Sequence, residues 1–96
     1  MRVTVNVRQE EIDKGERCSA CNCAVALAVL RAVPDATHVR VEGALTRQTI
    51  CIYAPAWNPS TVTICSPESV GRFVDAYDKS LPVAPFSFDI EIPDFE

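Results

Sequence analysis

The chain has 96 residues, 48% of them apolar and 23% charged, with a net charge of -4. That is enough to core one domain and too little for two. Nucleic-acid backbones are held by clustered positive charge, and this chain has no Lys/Arg run; Arg2, Arg8, Lys14 and Arg17 are spread out, while acid gathers in Asp89, Glu91, Asp94 and Glu96, so nucleic-acid binding is not expected.

Val3, Val5 and Val7 alternate with Thr4, Asn6 and Arg8, which predicts a half-buried first strand. Residues 9 to 20 are polar and read as irregular, with Gly15 as a turn point. A helix is predicted from about Asn22 to Val33, stopped by Pro34, because the residue before a proline is driven out of the helical region. Thr37 to Glu42 reads as a second strand closed by Gly43, and Thr46 to Tyr53, rich in β-branched residues, as a third. The segment from Ala54 to Ser60 carries two prolines and an Asn-Pro step and reads as a loop. Thr61 to Cys65 makes a short fourth strand.

The second helix has a well-marked start: Ser66 suits the N-cap, Pro67 the first helical position and Glu68 the positive end of the dipole. Val70, Phe73, Val74 and Tyr77 then form one apolar stripe. Pro82 and Pro85 bracket the exit, and Phe86, Phe88, Ile90 and Ile92 alternate with polar residues as a last strand. The expectation is a single α+β domain over residues 1–96, ordered β-α-β-β-β-α-β, with a mainly antiparallel sheet and two helices packed on it.

The opening residues alternate as a strand does, where a secretory signal needs a continuous apolar stretch, so no targeting segment is expected. The longest apolar run, Cys23 to Leu30, is far short of the ~20 residues of a membrane span. Five cysteines cannot all pair internally, which suggests a reducing, cytoplasmic setting.

The first predicted helix is the most informative element. Arg31 is its only strongly polar side chain between Cys23 and Val33, and Ala24, Ala28 and Ala32 make a strip of small residues. A helix with one side in water would show a polar stripe. Something should therefore cover both sides. One account is a central helix wrapped by its own sheet and the second helix; the other is that Ala24, Ala28 and Ala32 meet a partner protein, including a second copy in a homodimer. Trp57, in a proline-held loop, is a second candidate contact residue, with folding back over the core as its alternative, and an unpaired edge strand is a third candidate contact surface.

Cys18, Cys21 and Cys23 form a C-x-x-C-x-C cluster at the start of that helix. A structural zinc ion would use these three as ligands, but the fourth would have to be Cys51, Cys65 or His38, and no second pair of ligands is recognisable. A redox pair of Cys18 and Cys21 at a helix N-terminus is a further use, although the motif does not follow a strand directly. Thiols also serve as small apolar residues, and that structural role is the expectation, with zinc as the alternative and no other cofactor. His38 has no nucleophile placed beside it by sequence, Asp75 and Asp78 read as the solvated face of the second helix, and no glycine-rich phosphate loop occurs. No catalytic residue is assigned.

Residues 23 to 32 (Cys-Ala-Val-Ala-Leu-Ala-Val-Leu-Arg-Ala) and residues 72 to 90, a helix end, a proline-flanked turn and a Phe-x-Phe strand, carry a resemblance. They resemble a group of small uncharacterised proteins of actinobacteriophages (mycobacteriophage-type) and related prophages. This chain has Ala24 where that group has Pro after the Cys. The shared motifs are packing patterns, so no site residue carries over. The resemblance implies a phage accessory protein in the cytoplasm of an infected bacterium, and the expected mode of action is contact with a host or phage protein.

Overall fold

Alternating burial builds the first strand, β1 (Arg2–Val7): Val5 and Val7 point into the core and Arg2, Thr4 and Asn6 point out. A computed structural model describes residues 2–44 and 47–93. Met1, Thr46 at the expected start of the third strand, and Asp94 and Glu96 of the acidic end lie outside the described residues. After β1 come α1 (Gln9–Lys14), α2 (Ala24–Ala32), β2 (His38–Ala44), β3 (Arg47–Tyr53), β4 (Thr61–Cys65), α3 (Glu68–Asp78) and β5 (Phe86–Glu91). The protein is α+β, and every strand pair among the described residues is antiparallel.

Two details differ from the expected order. The polar stretch after β1 contains a short helix, α1, whose Glu11 carboxylate accepts the Arg8 backbone N–H at 3.2 Å. Ion pairing from Lys14 to Glu10 at 2.8 Å and a Gln9–Asp13 hydrogen bond at 2.8 Å brace its outer face. The strands also divide into two sheets, β1–β5 and β2–β3–β4. In the first, Val3 faces Ile90 and Val5 faces Phe88; in the second, Val41 faces Ile50 and Ile50 faces Ile64.

Helix α2 packs against both β1 and β2, one strand from each sheet, and against α1. Ala24, Val25, Ala26, Ala28 and Val29 are consequently at most 1% exposed. This double cover explains the missing polar stripe. The cover is intramolecular, although strands of two sheets and α1 supply it where one sheet and the second predicted helix were expected: Ala24 and Ala28 have no surface to offer a partner, and Ala32 is half-buried against the core. Small side chains are needed there because backbones from both sides approach the same helix.

Helix α3 closes the other flank against β3. Its predicted stripe faces inward, with Val70, Phe73 and Tyr77 buried, and Phe73 lies 4.7 Å from the Phe86 ring of β5. Its start differs from the expectation. Pro67 takes the N-cap position, and Ser66 spends its hydroxyl on the Gln48 carbonyl at 2.9 Å instead of capping the helix. Gly43 lies within β2 rather than beyond it, at φ 144°, a backbone region that suits glycine.

Candidate functional site

The cysteine loop folds between α1 and α2. Glu16 N–H bonds to the Asn22 carbonyl at 2.7 Å, and Asn22 N–H to Ser19 Oγ at 3.1 Å, which closes a tight turn. Cys18 sits at φ 59°, a conformation uncommon outside glycine, and its N–H donates to Asp78 Oδ1 of α3 at 2.8 Å. Asp78 is therefore a tie between α3 and the loop rather than a free member of the solvated face. Arg17 lies over the Tyr77 ring at 5.2 Å and pins the same junction.

The three thiols do not share an environment. Cys18 and Cys21 are exposed, whereas Cys23 is buried and acts as the N-cap of α2, its sulfur accepting the Ala26 N–H at 3.4 Å. Burial pushes the Cys23 thiol above its ordinary range, against the hydrogen bonds that favour its thiolate. All five cysteines are free thiols. Among the described residues, no three His, Cys, Asp or Glu side chains gather as ligands for a metal ion. Cys18, Cys23, Glu42 and Asp78 do border one open cleft of about 320 Å³ between the loop, β2 and α3, with Val41 and Gln48 among its other lining.

The other predicted residues are dispersed. Trp57 is half-buried against the core, and its Nε1–H donates to Asp35 Oδ2 at 3.1 Å, so the indole folds back over the core edge. His38 is exposed, touches Thr37 Oγ1 through Nδ1 at 3.1 Å and stands edge-on to Tyr53. Asp75 pairs with Lys79 one turn on, at 3.1 Å.

The unpaired edge strand expected as a contact surface is found at the outer edge of β4. Sheet edges expose unpaired N–H and C=O groups, and most proteins cover or charge them. Three of the four edges here follow that rule. β2 carries Arg40 and Glu42, and its Val41 N–H is taken by the Ala20 carbonyl of the cysteine loop at 2.8 Å. β5 carries Asp89 and Glu91. β1 carries Arg2, and its Asn6 carbonyl accepts from Arg31 at 2.7 Å. The fourth, β4, reads Thr-Val-Thr-Ile-Cys, with no charge, proline or glycine.

The hydrogen-bond parity tells which groups face outward. Ala54 N–H bonds to the Ser60 carbonyl at 2.8 Å and Ser66 N–H to the Gln48 carbonyl at 3.0 Å, and the two pairs continue the β3–β4 register by one step beyond each end of the ladder. Antiparallel pairs alternate between bonded and non-bonded. Val62 and Ile64 therefore bond to β3, and the N–H and C=O groups of Thr61, Thr63 and Cys65 point away from the sheet. Their side chains are exposed as well. On the same face Tyr53 of β3 is one of the exposed large apolar residues, 41% open. The segment needed to find this edge was visible in the sequence, but its position at the end of a sheet was not.

Comparison with protein-family models, with curated proteins and with solved structures finds no match to this chain.

Proposed function

We propose that this is a small phage or prophage accessory protein that acts by contact rather than catalysis, receiving one strand of a partner protein along the open edge of β4. The observation that carries this reading is the run of outward backbone groups on Thr61, Thr63 and Cys65 in a strand free of charge and proline. Strand addition uses such groups for affinity and the alternating side chains for selectivity. The flanking prolines, Pro59 and Pro67, confine the ladder to β4. The likeness of residues 23–32 and 72–90 to actinobacteriophage proteins supports the phage setting, with a host or phage protein as partner in the bacterial cytoplasm. Net charge of -4 argues against nucleic acid as that partner.

The test is a photo-cross-linking side chain placed at Thr63 of the full chain in bacterial cells, with the same group at Ser87 on β5 as control. A defined adduct at Thr63, absent at Ser87 and identified by mass spectrometry as a protein joined along β4, is the expected result. No adduct at Thr63, or equal adducts at both positions, overturns strand addition.

A further inference from the structure

We infer that the strand received by β4 is β4 of a second copy, giving a two-fold symmetric dimer with one continuous sheet. This rests on the strand-addition reading above and names its partner. The segment Pro59-Ser-Thr-Val-Thr-Ile-Cys-Ser-Pro67 reads nearly alike in both directions about Thr63. A two-fold interface presents the same patch to itself, so a strand that is chemically palindromic fits its own copy without mismatch.

The register follows from the geometry. With the two-fold axis at Thr63, Thr63 faces the partner's Thr63 and Thr61 faces the partner's Cys65. All of these residues have outward backbone groups, so each such pair exchanges two hydrogen bonds. Val62 then meets the partner's Ile64 as a non-bonded pair, the arrangement in which side chains come closest. Val62 and Ile64 lie on the inner face of the sheet, and Ile64 is only half-buried, so the contact covers apolar surface still open in the single chain. Ser60 meets the partner's Ser66, and the prolines end the ladder on both sides.

Charge does not oppose the contact. β4 carries none, and the acidic Asp89 and Glu91 lie on the other sheet. The exposed Thr63 side chain and its outward N–H take no part in the β3 ladder. Substitutions at this position therefore probe the dimer and leave the fold in place. A five-residue strand pair is a small interface, so the dimer is expected to be concentration-dependent.

Sedimentation of the full chain in reductant, with amide exchange read by NMR, tests this. The wild type is expected to pass from monomer to dimer below about 1 mM. With dimerisation the amides of Thr61, Thr63 and Cys65 gain protection, whereas those of Val62 and Ile64 are protected throughout. Thr63→Pro, which removes the central donor, is expected to stay monomeric. Thr63→Lys and Thr63→Glu are each expected to weaken the dimer by about threefold or more, since like charges then stand directly opposite. Mixing those two variants in equal amounts restores association. A wild type that is monomeric throughout, a dimer that survives Thr63→Pro, or a mixture that gains nothing overturns self-pairing. Self-pairing also fails if the adduct captured at Thr63 contains only a different protein, and in that case strand addition stands.

Discussion

Nη2 of Arg31 on α2 donates to Oε1 of Glu11 on α1 across 2.6 Å, and the carboxylate it meets is held in the interior, Glu11 being 6% exposed. The same guanidinium nitrogen reaches the Asn6 carbonyl of β1 at 2.7 Å. The one strongly polar side chain of α2 thus ties three elements together. The carboxylate is doubly used, because it also accepts the Arg8 N–H that starts α1.

Removing Glu11 should therefore cost more than a surface ion pair. Glu11→Ala removes the carboxylate shared by Arg31 and by the Arg8 N–H at the first turn of α1, an expected loss of about 2 kcal/mol. In a domain of this size that lowers the melting temperature by on the order of 10 °C. Thermal unfolding followed by circular dichroism checks it, and a change within about 0.5 kcal/mol would mean that the pair is solvated in solution.

Gly15 is needed for space rather than for backbone freedom, its φ being an ordinary -68°. A Cβ there would lie 2.5 Å from the Tyr77 hydroxyl, 2.7 Å from the Ala24 nitrogen and 2.9 Å from the Glu11 carbonyl oxygen. Two of those atoms are backbone and cannot swing aside. Tyr77 would also be pushed off the Ile12 carbonyl, to which its hydroxyl donates at 3.0 Å. Gly15→Ala should destabilise by about 1–3 kcal/mol, as overpacking does. Chemical denaturation measures it, and an unchanged midpoint would refute the packing described at this junction.

Ala28→Glu separates core from interface. Ala28 is 0% exposed between the two sheets, so a carboxylate there has neither room nor partner. The expected outcome is loss of the cooperative unfolding transition. A folded variant with altered association would place the alanine strip on the surface after all.

Alkaline pH should weaken the fold through Cys23 and Tyr77. Burial raises both groups above their ordinary values in the folded protein. The unfolded chain therefore ionises first as pH rises through the ordinary thiol and phenol ranges. The stability these groups contribute is complete below those ranges and is lost above them. Urea unfolding in reductant should show a lower midpoint at about pH 10 than at about pH 7. The combined Cys23→Ser and Tyr77→Phe variant should lose less over the same interval. An equal loss in both proteins would assign the pH response to other groups.

Local chemistry in the chain was sufficient for much of this protein. Alternation in residues 3–7 and 86–90 marked β1 and β5, β-branched residues marked β3 and β4, and a stripe of Val70, Phe73 and Tyr77 set the inward face of α3. Those signals are legible because a side chain's preference for water or core repeats with the period of its own strand or helix. Residues 9–14 hid α1 because Ile12 is their single apolar residue and draws no stripe, while their inward acid, Glu11, is buried by a partner 20 residues away. Pairing of the strands lay beyond sequence for the same reason. β1 and β5 come from opposite ends of the chain and make their own sheet, which encloses α2 from the side that an alanine strip alone could not explain. Trp57 against Asp35, Cys18 against Asp78 and the uncovered edge of β4 are likewise set by which surfaces dock, because pattern along a chain records what a residue prefers and only the tertiary structure decides what it meets.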